Sequence, residues 1–121
     1  MLTNINTGFS QYLQTASKSF RNGSMLITEQ DFKRFLTISK GLSVKSIKTY
    51  LQRFRLFKNW LNKNNQQLSK NSVEKFLFEK TENNNLNSTI NTYIQAINHI
   101  IECYKFNDFK INITEKFKGL P

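Results

Sequence analysis

The chain is poor in the residues from which most active sites are built. Among its 121 residues there is one cysteine, Cys103, and one histidine, His99, and glycine occurs only 4 times, scattered at turns. A single cysteine cannot form an intramolecular disulfide, so a reducing cytosol is the natural setting and a cytoplasmic location is expected. Cys103 falls on the apolar side of a helical pattern, where a small buried thiol is a simpler reading than a nucleophile. One Cys and one His cannot supply the three or four ligands of a metal site, and there is no Gly-rich phosphate loop. No carboxylates stand at a spacing that converges on His99, which leaves acid–base chemistry without its usual partners. His99 itself reads either as a partly exposed helix residue or as a phosphate contact. No catalysis, cofactor, metal or small-molecule ligand is expected of this chain alone.

Long apolar runs are missing as well. None approaches the roughly 18 residues that span a bilayer, and the start, Met1-Leu2-Thr3-Asn4, has no charged-then-apolar signal pattern. The chain is expected to be neither secreted nor membrane-spanning. Acidic residues are scarce: 8 Asp and Glu stand against 18 Lys and Arg, a formal charge of +10 with a pI near 9.9. Such an excess favours a polyanionic partner, nucleic acid first and an anionic membrane surface second. A Lys- and Asn-rich composition also arises from base bias in a genome, so charge alone does not decide. Core material is present, with 38% hydrophobic residues, 13% aromatic and 11 phenylalanines, enough for one domain around one core.

Strand signals do not occur, whereas helix signals recur. A helix is expected over about residues 8 to 20, with Phe9, Tyr12, Leu13, Ala16 and Phe20 on one face, stopped by Asn22-Gly23. Thr28 can then cap a helix while Ile27 packs on Phe32, and that helix carries Phe35 and Leu36 and ends before Gly41. Leu42, Ser43 and Ile47 repeat the device and open a long helix to about Asn62. Its buried stripe is expected to be Val44, Ile47, Tyr50, Leu51, Phe54, Phe57, Trp60 and Leu61. Leu68, Ser69 and Val73 give the device a third time, for a shorter helix through Phe76, Leu77 and Lys80. Asn83-Asn84-Asn85 breaks it, and Asn87 or Ser88 caps a second long helix bearing Ile90, Tyr93, Ile94, Ile97, Ile100, Ile101 and Tyr104.

The two long helices share a phrase. Ser46-Ile47-Lys48-Thr49-Tyr50-Leu51 is echoed 43 residues later by Thr89-Ile90-Asn91-Thr92-Tyr93-Ile94, with Phe54 matched by Ile97 and Phe57 by Ile100. The apolar residues of each copy share one helical face and the polar ones point away. On the first copy Lys45, Lys48, Gln52, Arg55 and Asn59 form an outer stripe. On the second the stripe is Ser88, Asn91, Thr92, Gln95, Asn98 and Glu102, rich in hydrogen-bonding groups and almost uncharged. Lys and Arg can neutralise phosphates, and Gln and Asn can pair with base edges, so these stripes suit a DNA major groove. A solvated face is the other meaning of any such stripe.

The run Phe35-Leu36, Gly41-Leu42-Ser43, Ser46-Ile47, Tyr50, Phe54, Phe57, Trp60-Leu61, Leu68-Ser69, Val73, Phe76-Leu77, Ser88-Thr89-Ile90-Asn91 and Ile97 resembles the core-binding, SAM-like N-terminal domain of tyrosine recombinases, the integrases of phages and transposons. The resemblance covers about residues 28 to 118 and rests on the order and spacing of capped amphipathic helices rather than on any single motif. The helix pattern reads as an all-α, compact bundle of two helical hairpins, four core helices in all, with an extra N-terminal helix, and the resemblance implies the same SAM-like core. The resemblance also implies half of a clamp on double-stranded DNA, with the second and fourth core helices at the major groove. Carried over by position, the contacts are Ser46, Lys48 and Thr49 on one helix and Ser88, Thr89, Asn91 and Thr92 on the other. The outer stripes add Lys45, Gln52, Arg55 and Gln95.

Residues 1 to 27 then form an N-terminal extension, 28 to 112 the core-binding domain, and 113 to 121 the start of a linker to a catalytic domain that would begin beyond Pro121. No tyrosine here is expected to be the nucleophile, since Tyr50 and Tyr93 lie on core faces. Further recombinase protomers on DNA, a tetrameric synapse in the full-length protein, are the implied protein partners. The rival reading is a helical protein-interaction module whose basic face meets an acidic partner, and a peripheral membrane role ranks third.

Overall fold

The computed structural model describes residues 25–121, which form four α-helices, a π-helical turn and no strand. In chain order they are α1 (Glu29–Arg34), running directly into the π turn (Phe35–Ser39), then α2 (Val44–Lys63), α3 (Lys70–Glu82) and α4 (Asn87–Phe106). The described residues are therefore the all-α, SAM-like bundle that the sequence leads one to expect. The helix expected over residues 8 to 20 lies outside the described residues.

Three of the four helices start where the short polar residues predict. Thr28 Oγ1 accepts the Asp31 amide at 3.0 Å and Asp31 Oδ2 accepts the Thr28 amide at 2.9 Å, a reciprocal capping box. Ser43 Oγ accepts the Ser46 amide at the start of α2, and Ser69 and Ser72 form a second capping box at α3. The apolar residue before each cap (Ile27, Leu42, Leu68) and the one four positions into each helix (Phe32, Ile47, Val73) all join one core. Each helix thus satisfies its free amides and fixes its angle to the bundle with the same few residues.

α4 departs from this pattern. Neither Asn87 nor Ser88 caps it: the cap position is Leu86, which offers no side-chain bond, and Asn87 is already the first helical residue. Asn87, lying inside the first turn, instead donates its Nδ2 to the Pro121 carbonyl at 3.0 Å. Val44, placed by its sequence period in the core stripe of α2, is 85% exposed, because the first residue of the helix projects past the end of the bundle.

The helix stops use left-handed residues. Gly41 has φ +62°, and the turn before it is widened, with the Lys40 amide bonding the Phe35 carbonyl and the Leu42 amide bonding the Leu36 carbonyl, each at 3.1 Å. The second bond reaches one residue further than in an ordinary glycine-capped end, as an inserted π turn requires. Asn65 (φ 52°) and Asn84 (φ 62°) play the glycine's part after α2 and α3.

The elements are joined by a chain of aromatic rings. Phe32 of α1 stacks on Phe54 of α2 at 5.1 Å, Phe57 of α2 meets Phe76 of α3 edge-on at 4.9 Å, and Phe76 meets Tyr93 of α4 at 5.2 Å. Phe32, Phe54, Phe57 and Phe76 are at most 1% exposed, so the rings are shared core rather than surface decoration. Tyr104 closes one end, its hydroxyl accepting the Leu26 amide at 2.8 Å where the described chain enters the bundle.

Candidate nucleic-acid interface

The outer face of α2 carries the positive charge. Lys45, Lys48 and Gln52 are exposed and their side chains make no hydrogen bond or ion pair among the described residues. Thr49 turns its hydroxyl back to the Lys45 carbonyl at 3.2 Å, and Ser46 Oγ accepts from Ser43 at 3.1 Å, so both keep one polar side toward solvent. Arg55 is committed: its guanidinium grips both oxygens of Glu29 on α1 at 2.8 and 2.6 Å. The Arg55 hydrogen bond holds the Glu29 carboxyl below its usual pKa, and Glu29 in turn raises that of Arg55.

Contacts between α2 and α4 step down α4 as they step up α2. Lys40, just before α2, reaches Glu102 at 3.3 Å; the Tyr50 hydroxyl donates to Gln95 at 3.4 Å and its ring meets His99 at 4.8 Å; Arg53 lies 4.7 Å over the Tyr93 ring. The two helices therefore run against each other, and their N-terminal halves do not lie side by side. Gln95 is brought to the middle of α2, while Ser88 and Thr89 sit nearer its far end. Ser88 is exposed, Thr89 half-buried, and Thr92 donates its hydroxyl to the Thr89 carbonyl at 2.6 Å.

Asn91 faces the chain's own C-terminal segment. Its Oδ1 accepts the Leu120 amide at 2.6 Å and its Nδ2 donates to the Leu120 carbonyl at 2.9 Å. Asn98 does the same to Phe117, at 2.9 and 3.0 Å. The outer stripe of α4 is thus partly occupied from within the molecule. Toward its other end Glu102 receives hydrogen bonds from His99 and Lys40; burial opposes its ionisation, the two bonds outweigh burial, and the carboxyl sits below its ordinary value. His99 accordingly hydrogen-bonds Glu102 at 3.0 Å and meets the Tyr50 ring, a structural pairing on the helix flank.

Arg53 is a residue that the outer stripes do not include. It lies on the flank of α2 turned toward α4, with no carboxylate partner, and its Nε is buried without a hydrogen bond. A signal for it exists in the sequence: Ser46, Thr49 and Arg53 recur at helical spacing beside the Tyr50 stripe. Lys80 of α3 approaches the same Tyr93 ring at 5.5 Å. Elsewhere the chemistry is sparse. No group of three or more metal-ligating side chains occurs among the described residues, and no helix among them is long and apolar enough to cross a membrane.

The described residues define a small all-helical, SAM-like bundle with exposed lysines on the outer face of α2. Comparison with known families gives the particular one: the model described as the phage integrase N-terminal SAM-like domain matches residues 30–102, and the chain belongs to that family. The match takes in α1 through most of α4, and it is to the N-terminal domain, not to the catalytic domain of the integrase. No curated protein and no solved structure matches the chain. A recombinase-related role follows from membership, with DNA and recombinase subunits as partners in the general sense.

Proposed function

We propose that this chain is the DNA-clamping core domain of a site-specific tyrosine recombinase, a non-catalytic part of a longer protein acting in the cytoplasm. Residues 28 to 112 form the DNA-binding unit, 113 to 121 lead toward a catalytic domain, and 1 to 27 are an extension. The observation that carries this reading is the exposed α2 face, where Lys45, Lys48 and Gln52 have no intramolecular partner, in a chain whose family pairs with DNA. An unpaired cation gains from a phosphate without first breaking an ion pair. Ser46 and Thr49 supply neutral hydrogen bonds beside that charge, Gln95 adds another at the middle of α2, and Ser88, Thr89 and Thr92 extend the surface toward the far end of α2. Asn91 and Arg55 join them only by exchanging their present partners, Leu120 and Glu29. In the full-length protein four such protomers would assemble on two duplexes as a tetrameric synapse.

Duplex DNA titrations at rising salt test the proposal. With roughly six to ten phosphate contacts, affinity falls on the order of 10³-fold or more between low and moderate salt. Substituting Lys45 and Lys48 together lowers affinity for all sequences about equally and makes the salt dependence shallower by about 2. Binding indifferent to salt, or a double variant of wild-type strength, rejects this face. A second reading, docking of a protein partner, has one observation in its favour: Ile38 and Phe106 are 76% and 63% exposed beside Phe35 at the π turn. A partner there would be weakened by Ile38→Glu and untouched by the lysine substitutions.

A further inference from the structure

The segment 117–121 is held against α4 by an arrangement that fits its register. Asn91 and Asn98 stand two helical turns apart, about 10.5 Å along the axis, and three extended residues from Phe117 to Leu120 span about 10 Å. Each asparagine therefore meets one backbone amide and carbonyl of an extended chain running opposite to the helix, and Asn87 adds a third hold at Pro121. The amide side chain carries its donor and its acceptor on separate atoms side by side, which suits it to meet the N–H and C=O of one backbone residue at once. Gly119, between the two anchored residues, lies so close that a Cβ there would stand 3.2 Å from Asn91 Oδ1. Phe117 fixes the near end by packing on the core.

We infer that this strap and DNA compete for the outer edge of α4, so that the strap is a built-in brake on the DNA face. The inference rests on the DNA reading above and deepens it. With the strap closed, both polar atoms of Asn91 are occupied and the edge of α4 from Asn91 to Asn98 is covered by neutral backbone. Ser88, Thr92 and Gln95 stay at its border. Duplex engaging the N-terminal half of α4 through Asn91 must displace Leu120 first. The α2 cations are outside the strap, so the brake acts on the contribution of α4 and leaves the electrostatic grip of α2 intact.

The full chain tests this with two variants that remove no proposed DNA contact. Asn98→Ala takes away one anchor, and Gly119→Val crowds the strap against Asn91 while leaving every helix residue in place. Affinity for a mixed-sequence duplex at low salt is measured together with hydrogen exchange at the Phe117 and Leu120 amides. The expected result is protected amides in the free protein, loss of that protection when duplex is added, and binding tighter by roughly three- to tenfold in both variants, the order set by one net hydrogen bond that no longer opposes binding. If both amides stay protected in the complex and neither variant binds more tightly, while Lys45 and Lys48 substitutions still weaken binding, the brake is refuted and the DNA reading stands. If the wild-type chain and both variants fail to bind duplex at low salt, the DNA reading fails and the brake with it.

Discussion

At the scale of single residues, partners decide what a side chain is free to do. Lys48 and Arg55 lie on the same stripe of α2, yet Lys48 faces solvent unpaired and Arg55 is held in a two-pronged pair with Glu29. The exposed ion pair adds little to stability, but it withholds a cation from phosphate. Glu29→Gln therefore leaves the fold in place and steepens the salt dependence of DNA binding by about 1, read from titrations of the variant beside the wild type. Buried residues follow the opposite logic. Burial pushes the Cys103 thiol up to about 11 and the Tyr104 hydroxyl up to about 12, so both are neutral at physiological pH. The folded state then holds their protons more tightly than the unfolded state. That stability is complete below the ordinary values of 9.0 and 10.0 and is lost as pH rises through about 11 and 12. Thermal melts between pH 8 and 12 should show this decline, and Cys103 should react with a thiol reagent at pH 8 far more slowly in the folded chain than in denaturant.

At the scale of elements, the ends of the helices carry most of the sequence's information. Gly41 sits at φ +62° with nothing within 4 Å of where a Cβ would be, so the cost of Gly41→Ala is purely that of the backbone. A loss of about 1 kcal/mol is expected, measured by denaturant unfolding. Caps at Thr28, Ser43 and Ser69 are legible because a hydroxyl followed by an apolar residue four places on is a local signal with a local cause. The π turn at Phe35–Ser39 has no such signature, since it depends on where the chain must go next. The start of α4 has no such signature either: the cap position is Leu86, which offers no side-chain bond, and Asn87, which looks like a cap in isolation, is already helical. The strap on Asn91 and Asn98 was likewise invisible, because pairing between a side chain and a distant backbone leaves no periodic trace. Arg55 and Asn91 have the right residue type at the right spacing for a DNA contact, and only the fold reveals that each already has a partner.

At the scale of the whole molecule, charge and core are divided cleanly. The apolar half of the repeated phrase, Ile47, Tyr50 and Leu51 with Ile90, Tyr93 and Ile94, packs the bundle, and no Lys, Arg, Asp or Glu of the described residues is fully buried. The two copies are unequal there. The first presents free lysines, while the second holds its own C-terminal segment through Asn91. On this account the first long helix is the permanent grip and the second is the adjustable one. The most direct test is a backbone-amide chemical-shift map of the chain titrated with a short duplex at low salt. The account predicts perturbations concentrated between residues 45 and 55 and between 88 and 95, with accompanying shifts at Phe117 and Leu120. Perturbations confined to α1, the π turn and α3, with α2 silent, would contradict it.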